Sequence, residues 1–347
     1  MRSGNHEIHA APPSARQSSS FRVVAGGLLA VTLLAIVGMA FAYFKMLHYE
    51  PVAALHLPSD TRLAARVNLE NVLLFEPVRK HVLPLMTELD KEPSRAKSSL
   101  AKRLEQKTGV NLWMDLRELL VARGPSSDDW LLALGGIVPD VNLLSGLRDF
   151  LNEAGFQGWS LSMSGDALLH RPSGVAVGQA EDRIVLVASD IARLRSALPV
   201  SDVHRRLGLD PGPPASFAIA AKELHLIARS PIAALSPIES RVTEVTSFGG
   251  QINLDDAIRL RARATFSPDA DLEAFESESQ SVLIALQRLA ALSPGSDAVG
   301  LLVLLSRAQL ERRGPTVELS TNLERHEVDA LAKGLANSLR AWLVSSR

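Results

Sequence analysis

The sequence predicts an α+β fold, in which antiparallel hairpins alternate with amphipathic helices behind a single N-terminal transmembrane helix. Three observations lead to this class. They are an uncharged run of 22 residues, strand-like segments whose apolar residues alternate with polar ones, and segments whose apolar residues recur every three or four positions. Hairpins that alternate with helices predict an exported part in which the helices pack on one face of a sheet.

The uncharged run, residues 23–44, is long enough at helical rise to span the hydrocarbon of a bilayer. The residues before it carry Arg2, Arg16 and Arg22 against a single acid, Glu7. By the positive-inside rule, this charge bias predicts that the N-terminus stays in the cytoplasm.

On this topology, residues 1–22 are a disordered cytoplasmic stub and everything after Lys45 is exported. The chain is then a single-pass protein of a bacterial inner membrane, with its C-terminal part in the periplasm. The alternative is a cleaved secretory signal, because residues 40–42 form an Ala-Phe-Ala pattern at the end of the run. The length of the run and of the segment before it favours a retained signal-anchor.

The composition excludes several classes of function. The chain has no cysteine, so disulfides, thiolate metal sites, cysteine nucleophiles and a lipidated N-terminal cysteine are all excluded. Its formal net charge of −1 gives no basic footprint for nucleic acid. With 46% hydrophobic residues, the chain can bury a core of domain size.

The strongest break inside the exported part is residues 208–214, where three prolines and two glycines fall within seven positions. Such a segment cannot continue a helix or form a central strand. We therefore expect a linker there between two α+β halves, residues 59–207 and 215–347. Residues 45–58 are expected to join the anchor to the first half.

The first half is predicted to contain four helices and at least three strands. Phe75, Val78 and Val82 form an apolar stripe that indicates the first helix, and Gly109 is the residue type that commonly ends a second one. Polar N-cap residues between an apolar strand and an amphipathic segment indicate two further strand-to-helix units. In chain order, we expect helix 75–89, a helix starting near residue 94, strand 130–134, helix 141–154, strand 159–163, strand 184–188 and helix 191–198.

The second half is predicted to repeat the hairpin and helix pattern. Residues 258–266 alternate apolar and arginine side chains, which is typical of a strand with one buried and one hydrated face. Asp255 and Asp256 fit the hairpin turn before it, and Gly249-Gly250 fits a β-bulge. The elements that follow are expected to be helix 272–289, strand 317–319 and helix 328–343.

The arginines of that strand, Arg259, Arg261 and Arg263, are the candidate binding residues. Three guanidinium groups on one face could hold an anionic partner, such as a phosphate group or an acidic protein surface. The alternative is that they are solvated or pair across strands with acids such as Glu318 or Glu311.

No catalytic residue, metal site or cofactor is predicted. The nine histidines stand in no H-x-x-x-H or H-E-x-x-H frame, and there is no G-x-S-x-G sequence or glycine-rich phosphate loop. The densest polar cluster is residues 202–206, with Asp202 and His204, which we expect to be a solvated loop before the linker. The histidines are His6, His9, His48, His56, His81, His170, His204, His225 and His326.

The order of these features resembles a class of bacterial membrane-anchored exported proteins of unknown function. The resemblance covers mainly residues 55–200 and runs through the segments Leu57-Pro-Ser-Asp-Thr61, Thr108-Gly-Val110 with the strand-like stretch to Val121, and Leu186-Val-Ala-Ser189. It implies export and a similar architecture. It implies no activity.

The leading hypothesis is therefore a membrane-anchored envelope protein whose α+β module binds or scaffolds an envelope partner without catalysis. The first alternative is a carrier or sensor of an apolar or lipid ligand held between the helices and the sheet. The second alternative is a hydrolase with dispersed catalytic residues.

Overall fold

Twelve antiparallel strands form a single sheet in the part of the chain that the structure describes. The computed structural model describes residues 49–84, 100–112, 114–139, 142–180, 183–228, 242–292 and 303–345. The residues described from Glu50 onward belong to one compact unit. The predicted α+β class with helices on a large antiparallel sheet is confirmed.

The strands are numbered along the chain. They are β1 (Leu63–Asn68), β2 (Leu116–Arg123), β3 (Trp130–Gly136), β4 (Trp159–Leu161), β5 (Ala167–His170), β6 (Ala176–Ala180), β7 (Ile184–Ala188), β8 (Ala215–Ala220), β9 (Val245–Leu254), β10 (Ile258–Phe266), β11 (Gln309–Arg313) and β12 (Thr316–Leu323). Their order across the sheet is β11-β12-β10-β9-β8-β1-β2-β3-β7-β6-β5-β4.

The helices described with both ends are likewise numbered along the chain, after a short 3₁₀ turn at Ala53–His56. They are α1 (Leu69–Leu74), α2 (Glu76–His81), α3 (Leu100–Thr108), α4 (Leu143–Glu153), α5 (Ile191–Ala197), α6 (Val203–Leu207), α7 (Ala221–Ala228), α8 (Leu272–Leu292) and α9 (Arg325–Ser345).

The sheet has two wings that meet where β1 pairs with β8. Strands β1 to β7 form the first wing, and β8 to β12 form the second. The segment 208–214 lies between them in the chain, immediately before β8. The two halves thus share one hydrogen-bonded sheet, and their division at a linker over residues 208–214 stays a prediction.

Successive cross-strand partners identify the two faces of the sheet. Arg261 is opposite Gln251, Gln251 is opposite Ser216, and Ser216 is opposite Arg66. Since directly opposed residues point to the same side, these side chains share one face with Arg259 and Arg263. We call it the arginine face.

Helices cover both faces of the sheet, so the expectation that they pack on one face was wrong. The 3₁₀ turn, α5 and α6 lie on the arginine face of the first wing, where Leu194 of α5 sits directly over Gly178. Beneath this layer a group of side chains is fully buried. The group comprises Ala64, Leu120, Ala122, Leu131 and Ala133.

The opposite face carries the core of the second wing. Phe266 and Phe275 pack with ring centroids 4.4 Å apart, which joins β10 to α8. A second cluster at one end of the same face joins Phe75, Leu323 and Val328. These strands and helices therefore bury their apolar sides against each other, as amphipathic elements do.

The bulge predicted at Gly249-Gly250 was wrong. Both glycines are in regular register, opposite Arg263 and Ala262, and the register shift of this hairpin falls between Thr265 and Phe266. A Cβ on Gly250 would lie 2.5 Å from the Phe217 ring. Gly250 is thus needed because its neighbours pack closely around it, and not because the strand carries a bulged residue at this position.

Helix ends follow the expected chemistry. Gly109 ends α3 with a φ of +74°, a conformation that favours glycine. The Asp190 side chain accepts a hydrogen bond from the Arg193 amide at the start of α5. Among the described residues, no helix is both long enough and apolar enough to cross a bilayer. The anchor predicted at residues 23–44 lies outside the described residues.

Candidate functional site

The arginine face is covered in the first wing and open in much of the second. The covering layer ends with α6 and the residues that follow it, Gly208 to Asp210. Beyond this edge, the side chains of Arg259, Arg261 and Arg263 are 57%, 45% and 56% exposed. The prediction that these arginines are exposed is confirmed, while their role in binding remains a prediction.

A groove of about 230 Å³ runs along the edge of the covering layer. One wall is formed by Leu207, Gly208 and Asp210, and the other by Arg261 and Arg263. Gly208 ends α6 with a φ of +80°, a conformation that favours glycine. The predicted linker therefore contributes directly to the site.

The floor of the groove is made of small or polar residues of β9 and β10. Ser247, Gly249, Gln251 and Thr265 face it. A Cβ on Gly249 would lie 2.9 Å from the Phe217 carbonyl oxygen, so this position is kept without a side chain. The absence of a side chain at Gly249 leaves room in the groove for a small polar group.

One buried carboxylate serves two of the arginines. Glu318, opposite Arg263 on β12, has a side chain that is only 8% exposed. Arg263 Nε donates to it at 2.6 Å, and Arg261 Nε lies 3.8 Å from its other oxygen. The pairing expected with Glu318 is confirmed, and the two arginines keep one positive charge in excess.

Of the other acids nearby, Asp210 is the one that lines the groove. Glu311 accepts from Arg313 at 2.9 Å, and this bond lowers the pKa of the Glu311 carboxyl. Asp255 lies 3.9 Å from Arg259, outside hydrogen-bonding distance. Asp210 Oδ1 accepts from the Gly212 amide at 2.9 Å, and because this donor is neutral, the carboxylate keeps its negative charge and offsets the excess charge of the two arginines. A small anion in the groove would therefore be held by direct hydrogen bonds from Arg261 and Arg263 and not by a net positive charge.

Asp202 and His204 do not form a solvated loop cluster, which corrects the expectation from the sequence. His204 lies in α6 and is only 6% exposed, while Asp202 is exposed and pairs with Arg206 at 3.4 Å. Burial, with a smaller effect of Arg205, lowers the pKa of His204. The histidine therefore supports the covering layer as a neutral side chain.

Two other histidines make specific contacts. His170 Nδ1 lies 2.6 Å from the Ser173 hydroxyl, but its Nε2 faces the Gln157 carbonyl oxygen at 3.1 Å and not an acid. His81 bonds Asp329 at 2.9 Å, which lowers the pKa of the Asp329 carboxyl and joins α2 to α9. Neither pair completes the nucleophile, base and acid arrangement of a hydrolase.

The remaining histidines add no site within the described ranges. His56 is buried with its Nδ1 at 3.0 Å from the Ala197 carbonyl oxygen, and His326 is exposed. His6, His9 and His48 lie outside the described residues, as does the side chain of His225. No group of three metal-binding side chains occurs in the part of the chain that the structure describes.

A fully buried ion pair, which no sequence pattern predicted, lies next to the segment that forms the groove wall. Arg66 of β1 donates from Nε to Glu118 of β2 and from Nη1 to the Pro213 carbonyl oxygen at 2.9 Å. Glu118 also accepts from the Ala53 amide at 3.0 Å. The pair therefore ties the sheet to both the 3₁₀ turn and the segment that precedes β8.

Comparisons with known proteins give little beyond this. No protein-family model matches the chain, and no curated protein matches it either. The chain is similar to crystal structures of the protein TP0453. The match to crystal form I covers 83% of this chain and 99% of the TP0453 chain, with a TM-score of 0.42 and 9% identity. Form III covers 84% and 99%, with a TM-score of 0.42 and 9% identity. Form IV covers 86% and 99%, with a TM-score of 0.40 and 10% identity. Similarity of this degree supports no inference about function.

Proposed function

We propose that this protein is a membrane-anchored envelope protein that works by binding, and that its exported domain holds an anionic group in the groove beside Arg261 and Arg263. The anchor is residues 23–44, and the domain is the unit that begins at Glu50. The anchor places the domain at the periplasmic side of the inner membrane and concentrates it there.

The observation that carries the proposal is the shared carboxylate. Two guanidinium groups share the single carboxylate of Glu318, so they keep N–H donors for a ligand that reaches the groove. Charge-assisted hydrogen bonds from arginine to phosphate or carboxylate are the strongest of the ordinary hydrogen bonds. The shared ligand chemistry is thus a phosphate or carboxylate group, carried by a small molecule or by an acidic protein segment.

Binding of two defined ligands tests this proposal. The full-length chain in detergent is titrated calorimetrically with inorganic pyrophosphate and, separately, with a glutamate-rich peptide. Arg261→Gln combined with Arg263→Gln should weaken binding about tenfold or more, as expected for the loss of charge-assisted bonds. The control is Arg171→Gln combined with Arg195→Gln, which removes two exposed arginines elsewhere and should leave the affinity unchanged.

A third variant should act in the opposite direction. Glu318→Gln removes the carboxylate that competes with the ligand, so it should raise the affinity for whichever ligand binds. If neither ligand binds, or if the Arg261/Arg263 variant and its control lose affinity equally, the groove is not the binding site. A response to the peptide alone would assign the groove to a protein partner, and a response to pyrophosphate alone would assign it to a phosphate compound.

A further inference from the structure

An apolar loop stands out on the surface immediately before β2. Leu112 is 37% exposed and Met114 is 65% exposed, and the residue between them in the sequence is Trp113. Single exposed apolar residues are normal on a protein surface. Two exposed large apolar side chains only two positions apart in one loop are less usual and need a reason.

Hydrogen bonds hold this loop closed at its base. The Asn111 amide donates to Asp115 Oδ2 at 2.7 Å, and the Met114 amide donates to Asn111 Oδ1 at 3.1 Å. The Asp115 carbonyl oxygen accepts from the Ile137 amide at 2.9 Å. A Cβ on Gly136 would meet that oxygen at 1.9 Å, so β3 packs tightly under the loop. The apolar tip is therefore fixed outward.

A further apolar side chain lies at the same end of the sheet. Strands β1 and β2 are antiparallel, and Asn68 at the end of β1 is opposite Glu118 near the start of β2. Helix α1 directly follows β1 and ends at Leu74, which is 63% exposed. Leu74, Leu112 and Met114 thus belong to one end of the sheet, which we call the apolar end.

The chain also enters the domain at the apolar end. The Ala53 amide bonds the Glu118 side chain at 3.0 Å, and Met114 precedes Glu118 by four residues, about 14 Å in an extended chain. The eight residues 45–52 that separate the predicted anchor from Ala53 can span at most about 30 Å. The chain that follows the predicted anchor therefore enters the domain at the apolar end.

We infer that the apolar end is a membrane-contact surface, and that the loop tip inserts Leu112 and Met114 into the lipid of the membrane that holds the anchor. The occupant of this surface is the bilayer itself. The inference rests on the proposed anchor. With the domain lying on the membrane in this way, the arginine groove would keep a fixed orientation relative to the lipid surface.

A single cysteine tests the inference cleanly, because the chain has no native cysteine. Met114→Cys is labelled with an environment-sensitive fluorophore, and the full-length chain is inserted into phosphatidylcholine vesicles that contain spin-labelled lipid as quencher. The control is Phe156→Cys. Phe156 is 60% exposed and precedes β4 at the opposite end of the sheet, about 20 Å away along the strands.

The label at position 114 should shift its emission to the blue and be quenched several-fold more strongly than the label at position 156. Flotation of the same samples measures anchoring separately. Vesicles that float the chain while the label at position 114 stays unquenched would overturn the membrane contact and leave the anchor in place. A chain that neither floats nor is quenched would overturn both. Equal quenching at positions 114 and 156 would also refute the inference, because the contact would not be specific to the apolar end.

Discussion

Replacement of Arg66 by methionine should destabilise the domain strongly, because it removes the arginine that neutralises the buried Glu118 carboxylate. The side chains of both residues are 0% exposed. Methionine fills much of the same space and carries no charge. The carboxylate would keep the Ala53 amide as a donor but would lose its counter-ion.

The loss of stability in each variant depends on which hydrogen-bond and charge partners of Arg66 and Glu118 remain. Breaking a buried ion pair by removing one member costs about 3 to 5 kcal/mol. We expect this loss for Arg66→Met and for Glu118→Leu. When both changes are combined, neither charge of this pair remains, and the bonds to Pro213 and Ala53 are lost at about 1 kcal/mol each. The double variant should therefore be more stable than either single variant.

The assay is urea-induced unfolding of the full-length chain in detergent, followed by tryptophan fluorescence. The two single variants should have much lower midpoints than the parent, and the double variant should recover most of the difference. If the losses of the two single variants simply add in the double variant, Arg66 and Glu118 do not interact as a buried pair, and the reasoning is refuted.

Three further outcomes are expected from unfolding measurements. Burial lowers the pKa of His204 below its ordinary value of 6.5, so stability should fall as the pH drops below about 6.5, and His204→Gln should reduce that fall. Gly146→Ala places a Cβ 2.1 Å from the Lys107 carbonyl oxygen and should lower the free energy of unfolding by about 1 to 3 kcal/mol. Gly334→Ala places its Cβ in open space and should raise the free energy of unfolding by about 0.5 to 1 kcal/mol. Leu260→Asp should cost more than Arg261→Ser, which should stay within about 0.5 kcal/mol; the reverse order would mean that the register of β10 is wrong.

The elements that could be predicted from the sequence are those with one hydrated and one buried side. Strand β10 was predicted over its full length, because three arginines alternate with apolar residues and only one arrangement keeps them hydrated. Helices α4, α5 and α8 were predicted within a few residues, because an apolar stripe and polar N-cap residues agreed.

Other features could not be predicted because no local pattern encodes them. The pairing of β1 with β8 joins residues about 150 positions apart, and long-range pairing leaves no periodic signal. In β2, both alternating sets mix charged and apolar residues, so the parity of Glu118 did not identify it as buried. His204 was predicted to be solvated because it precedes a proline-rich segment, but it lies in α6, which packs against β8 and the 3₁₀ turn.

The most direct test of the central claim is hydrogen exchange on the full-length chain with and without pyrophosphate or the glutamate-rich peptide. If the groove is the binding site, protection should appear in β9, in β10 and in the segment around Gly208, and it should disappear in the Arg261/Arg263 variant. Protection confined to another part of the sheet, or protection that survives in that variant, would contradict the account.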